Sequence, residues 1–158
     1  GSQLLAAVLG ARVRKNEWSE MGRMAVELTP SGRTSALFKG IDSPLPVFQW
    51  HGDTFDIPMD ARHLAQSPLC RNQALGYKET LFGLQFHVET TQSTAVEWAK
   101  AYAPGLEGGE KAAALKIQAE AEQSWPDSMR RNAERIYENF FMEIAGLRES
   151  GKGLGHTR

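Results

Sequence analysis

The stretch Leu81-Phe82-Gly83-Leu84-Gln85-Phe86-His87-Val88-Glu89 constrains this chain more than any other. It runs apolar into a glycine, then apolar again, and closes on a histidine and a glutamate two residues apart. In a strand, residues i and i+2 share a face, so a buried strand here is expected to deliver His87 and Glu89 side by side at its carboxyl end. That is where open α/β sheets keep their sites. A carboxylate against an imidazole fixes its tautomer and raises its basicity, which is how a general base is oriented. An isolated His-x-Glu is more often a strand-end histidine satisfied by a neighbour, so the surrounding chain has to decide.

The chain has 158 residues and a formal net charge of -1. That length describes about one domain, enough to bury a core. The charge balance provides no field for nucleic acid or an anionic membrane. No apolar run approaches membrane-spanning length, and no secretory pattern opens the chain, so the expectation is a cytoplasmic protein with neither kind of partner. Cys70 is the one cysteine. It excludes an internal disulfide framework and a multi-cysteine metal site and fits a reducing compartment. No cofactor is expected.

In chain order, Gly1 to Gly10 reads as a helix, with Leu4, Leu5, Val8 and Leu9 at helical spacing and Gly10 able to close it in the left-handed conformation. Ala11 to Lys15 and Met24 to Leu28 are short strand candidates separated by polar Asn16 to Gly22, and Pro30-Ser31-Gly32 is a turn. Thr34 to Phe38 is a short helix at best. Leu45 to His51 is β-rich and follows Pro44 and Pro46, which mark its entry. Its continuation Trp50-His51-Gly52-Asp53-Thr54-Phe55 reads as a strand giving way to a site loop. Arg62 to Ser67 and Gln73 to Lys78 are further strands, followed by a tight turn at Glu79-Thr80, and their close spacing predicts antiparallel pairing.

Beyond Glu89 the chain turns helical. Ser93 to Tyr102 ends at Pro104-Gly105, and Glu110 to Gln123 is rich in strong helix formers. Ser124 is expected to N-cap the last helix, with a carboxylate three residues on. There Met129, Ala133, Ile136, Tyr137, Phe140, Ile144 and Leu147 recur every three or four residues as a core seam. The organisation is therefore one domain over 1–149 and a Gly-rich, frayed tail over 150–158.

Four segments occur in a telling order: Gly1-Ser2-Gln3-Leu4-Leu5-Ala6, Trp50-His51-Gly52-Asp53, Cys70-Arg71-Asn72-Gln73-Ala74 and Gly83-Leu84-Gln85-Phe86-His87-Val88-Glu89. Together they resemble class I glutamine amidotransferases, in particular free-standing members similar to the amidotransferase domain of GMP synthase. The resemblance implies an α/β, three-layer, flavodoxin-like domain with a mixed sheet and helices. It also implies L-glutamine as substrate, hydrolysed to glutamate and ammonia, and a synthetase or other ammonia acceptor as partner. In that family a cysteine in a Gly-x-Cys-x-Gly-x-Gln turn attacks the glutamine amide. Gly1 and Gln3 match the last two fixed positions, which would put the nucleophile two residues before Gly1.

By the same resemblance His87 takes the thiol proton and gives it to leaving ammonia, and Glu89 orients it. Gln3 shapes the glutamine pocket, and His51 and Asp53 border it as candidate substrate-binding residues. Cys70 lacks the Gly-flanked strand-to-helix elbow of a nucleophile and reads as a small buried hydrophobe. The expectation is thus the carboxyl-terminal part of an amidotransferase domain, truncated at the amino end and inactive alone. A sheet without its first strands leaves an unpaired edge and an uncovered apolar face, so self-association of the chain is also expected.

Two other readings stand beside it. His51-x-Asp53 and His87-x-Glu89 are two i, i+2 pairs at strand ends, and together they are a ligand set for zinc or iron in a metal-dependent hydrolase. A non-enzymatic, split or degenerate subunit that pairs with another chain is the third.

Overall fold

The computed structural model describes residues 1–146, so the seam position Leu147 and the tail lie outside the described residues. Helix α1 spans Ser2–Val8. It closes as a Schellman motif: Gly10 takes φ +85, its N–H donates to Ala7 O at 2.9 Å, and Ala11 N–H reaches back to Ala6 O at 2.9 Å. The buried face differs from the one the leucines predict. Ser2 and Ala6 are the buried residues, whereas Leu4 and Val8 are 70% and 76% exposed. The reason is proximity. A Cβ added at Gly83 would sit 3.1 Å from Ser2 Cα, so the helix backs onto the sheet too closely for large side chains.

Strand β1 is a single element, Val13–Leu28, rather than two short strands around a polar loop. Its partner is β2, Leu45–Phe55. Lys15 pairs with Asp53 and Glu20 with His51, so Asn16 to Ser19 bulge out opposite Gly52 alone. Polar side chains do not end a strand if the bulge is satisfied locally. Asn16 Nδ2 does this, donating to Trp18 O at 2.8 Å and to Leu69 O at 2.9 Å. For the same reason Trp50 to Phe55 is not a loop: it is the second half of β2.

β3 (Ala61–Gln66), β4 (Ala74–Tyr77) and β5 (Leu81–Leu84) complete a sheet of order β2-β1-β3-β4-β5. Every pairing among the described residues is antiparallel, so the parallel strands that a mixed sheet requires are not among them. β1 pairs along most of its length with β2 and gives only Glu27 and Leu28 to β3, which curls the sheet about β1.

Helices fill the faces: α2 is Pro30–Arg33, where a turn was expected, α3 Gln92–Tyr102, α4 Gly108–Ala119 and α5 Asp127–Glu138. A 3-10 turn at Ala36–Phe38 follows α2, and a π-helical turn at Asn139–Ile144 extends α5. Pro126, not Ser124, precedes α5, with no side-chain cap. Pro126 holds the N-cap position at φ -56 and ψ 133, and Asp127 puts a carboxylate in the first turn. The main core joins Val26, Leu45, Val47, Leu64, Phe86 and Ile136, with Phe140 and Ile144 packed on it. The predicted seam therefore holds at Ile136, Phe140 and Ile144, while Tyr137 is exposed.

Gly32 gives the sharpest test of this packing. Its α2 backbone lies so near β3 that a Cβ would come within 1.9 Å of Leu64 O. Gly32→Ala must displace backbone, and overpacking of this kind costs about 1–3 kcal/mol. We expect a melting temperature lower by several degrees in a calorimetric scan. Gly109→Ala, with nothing within 4 Å of the added carbon, should leave it unchanged or raise it.

Candidate active site

The dyad does not sit on a regular strand as expected: β5 stops at Leu84. Gln85 N–H still donates to Gln73 O at 2.8 Å, but His87 N–H donates to Phe48 O on β2, also at 2.8 Å. β2 and β5 are the two edges of the sheet, so this one bridge draws the edges together at the point where His87 leaves the sheet. Phe86, 2% exposed, anchors the crossing in the main core.

At that seam the sequence pair is assembled. His87 Nδ1 lies 2.6 Å from Glu89 Oε1, while Glu89 Oε2 accepts the Val88 N–H at 3.0 Å. A carboxylate on Nδ1 places the ring proton there. Nε2 is then the basic atom, and it has no protein partner among the described residues. The hydrogen bond from His87, helped by backbone N–H groups and opposed by burial, holds the Glu89 carboxyl below its ordinary value of 4.5. Trp98 of α3 meets the His87 ring edge-on, centroids 5.2 Å apart at 77°, and Phe48 flanks it at 6.3 Å. His87 and Glu89 form one wall of a cleft of about 380 Å³, closed by Val47, Trp125, Met129 and Arg130.

The start of α1 is tied to this dyad through Gln85. Ser2 Oγ donates to Gln85 Oε1 at 3.3 Å, and Gln85 Nε2 donates to the backbone oxygen of Asp53 at 3.0 Å. Gln3 Nε2 reaches the same oxygen at 3.5 Å. His51 Nδ1 is 3.0 Å from it as well. Gln3, His51 and Asp53 are therefore brought together, but around a main-chain carbonyl. The Asp53 carboxylate is turned to Lys15 on β1, 2.9 Å away, and the His51 ring is turned inward, its Nε2 3.0 Å from Glu20 Oε2.

That inward turn removes the metal reading built on His51, Asp53, His87 and Glu89. Among the described residues the only group of three or more potential ligands that converge is Glu20, His51 and Cys70. The Cys70 thiol is buried, with its pKa raised by that burial, and its contacts are Thr54 Oγ1 at 3.2 Å and Asn72 O at 3.8 Å rather than His87. Sequence reasoning missed Gln85, Glu20 and Trp98. Gln85 had a signal, a lone polar residue two before His87 in an apolar run; Glu20 was hidden in a stretch read as a loop.

Comparison with known proteins shows the family. The class-I glutamine amidotransferase family model matches residues 1–99. The chain belongs to that family. Within it, the glutamine amidotransferase-like protein YfeJ of Salmonella typhimurium is 36% identical over 91 residues, 58% of this chain and 38% of YfeJ. The glutamine-hydrolysing GMP synthase of Aliivibrio salmonicida is 35% identical over 95 residues, covering 59% of this chain and 18% of the synthase. A crystallised glutamine amidotransferase of Thermotoga maritima superposes with a TM-score of 0.69 at 32% identity, covering 89% of this chain and 59% of that one. The class I amidotransferase fold is thus established, and the chain spans less than two thirds of the length of these relatives. No helix among the described residues is long and apolar enough to cross a membrane.

The dyad has a measurable acid signature. Because the folded-state pKa of Glu89 lies below its unfolded value, its stabilisation is complete above about pH 4.5 and is lost as pH falls through the folded pKa. The side chain is 55% exposed, so solvent screening keeps the effect small. The urea-midpoint gap between wild type and Glu89→Gln should shrink as pH falls below that value. A gap that persists into acid would show that the carboxylate is not charge-paired to His87.

Proposed function

We propose that His87 and Glu89 are the acid–base half of a glutamine-hydrolysing site, and that the thiol they serve is placed just ahead of α1. The observation that carries this reading is the 2.6 Å Nδ1–Oε1 pair, which leaves Nε2 bare. The tie from the dyad segment through Gln85 to the first turn of α1 supports it. His87 Nε2 takes the thiol proton, and the thiolate attacks the side-chain amide carbon of L-glutamine. The same proton goes to the departing nitrogen, releasing ammonia and leaving a glutamyl thioester. Water, deprotonated by His87, then hydrolyses the thioester to glutamate and restores the thiol.

Glu89 holds the imidazole in the productive tautomer and stabilises the imidazolium formed at each transfer. Gln3 borders the glutamine pocket. His51 and Asp53 support it from beneath, through the shared carbonyl rather than by direct contact with substrate. The ammonia passes to an acceptor held by a synthetase. Cys70 has no part in the cycle.

The test is glutamate release. The 158 residues alone should release none above a buffer blank. A form extended ahead of Gly1 by a Gly-x-Cys segment and its supporting strands should turn over. In that form His87→Ala should reduce turnover by about 10²–10⁴-fold, the usual worth of a positioned base, and Glu89→Gln should reduce it less. Equal turnover in all three would remove the dyad from the mechanism. Turnover by the 158 residues that survives Cys70→Ala and disappears in His87→Ala would show that no thiol is needed.

A further inference from the structure

A second cluster of reactive side chains lies inside the sheet, and the proposed glutamine chemistry makes no use of its inner atoms. A carboxylate oxygen of Glu20 on β1, a ring nitrogen of His51 on β2 and Sγ of Cys70, in the β3–β4 connection, lie within 4.8 Å of one another. Glu20 and Cys70 are each 1% exposed, and the His51 side chain is 5% exposed. The protonation of this cluster is constrained. His51 Nδ1 faces the Asp53 carbonyl at 3.0 Å, and a carbonyl accepts only, so the ring proton is on Nδ1. Nε2 then presents its lone pair to the cluster, 3.0 Å from Glu20 Oε2 and without a hydrogen bond.

Two acceptors that close, in a buried place, need a positive charge between them. Gln73 adds to the demand. Its amide nitrogen donates to Glu20 Oε2 and to Ser67 Oγ, while its fully buried Oε1 has no partner. We propose that Glu20, His51 and Cys70 bind a divalent cation of the zinc class, which clamps β1, β2 and the β3–β4 connection together. The donor set mixes carboxylate, imidazole and thiolate, which suits a borderline-soft ion. The Nδ1–H to carbonyl bond is the outer-shell contact that orients a metal-bound histidine. Binding releases the Cys70 thiol proton to solvent, and two anionic ligands neutralise the 2+ charge, so the occupied site is neutral as burial requires.

Cobalt provides the readout. The chain, reduced and stripped with chelator, is titrated with Co²⁺. One equivalent should produce a near-ultraviolet thiolate-to-cobalt charge-transfer band together with visible bands of a four-coordinate ion. Cys70→Ser should abolish the charge-transfer band and weaken zinc binding by at least about tenfold, the lower end of what even an outer-shell change costs. X-ray absorption on wild-type chain with one equivalent of zinc needs no variant and should show one sulfur neighbour among nitrogen and oxygen neighbours. Absence of the sulfur neighbour, or a cobalt band that persists in Cys70→Ser, would overturn the site. A protonated His51–Glu20 pair would then account for the cluster.

Discussion

The hydrogen bond from His87 N–H to Phe48 O is the contact on which the arrangement of this chain depends. A five-stranded antiparallel sheet has two edges, and open edges are normally blunted by charge, proline or a covering element. Here the segment after the last strand crosses to the first edge and bonds to it. The curl that β1 begins is thereby closed. Closure fixes where His87 leaves the sheet, so a single main-chain bond sets the position of the imidazole relative to both edges. The chain continues into α3, whose Trp98 returns to the His87 ring. Position comes from backbone pairing and orientation from side chains.

A carbonyl does the comparable work on the other side of the site. The Asp53 oxygen is approached by Gln3, His51 and Gln85, which belong to α1, to β2 and to the segment leading to His87. Three polar side chains that would each cost free energy if buried alone share one acceptor. Movement of α1 is therefore felt two residues from the dyad, through Gln85. Gly83 makes the same connection sterically, because its missing side chain allows Ser2 to approach.

Most helices were legible in the sequence because their signals are local: a glycine that can take positive φ at position 10, strong helix formers around 110–119, an apolar seam through Ile136 and Phe140. What failed was non-local. Asn16 to Ser19 are polar and read as a loop, yet the pairing of β1 on either side carries the strand through them as a bulge. Trp50 to Phe55 read as a loop for lack of apolar alternation, yet the start of β1 pairs with it. Large apolar residues in α1 pointed to the wrong face, since a helix seated against a glycine buries its small residues. The side chains of the His-x-Glu pair do meet, but beyond the end of a strand, at a bridge that no periodicity encodes.

The two His–Glu contacts in this chain differ in a way that separates their roles. At His87 the carboxylate is on Nδ1 and more than half exposed, so water screens the pair, and the residue lines the cleft. At His51 the geometry is reversed. A backbone carbonyl holds Nδ1, and Nε2 is buried against Glu20. A group that must cycle its charge within each turnover belongs in the first environment, and a group that must hold charge in place belongs in the second. Exposure and the identity of the atom on Nδ1 thus fit His87 to the proposed acid–base role and His51 to a structural one.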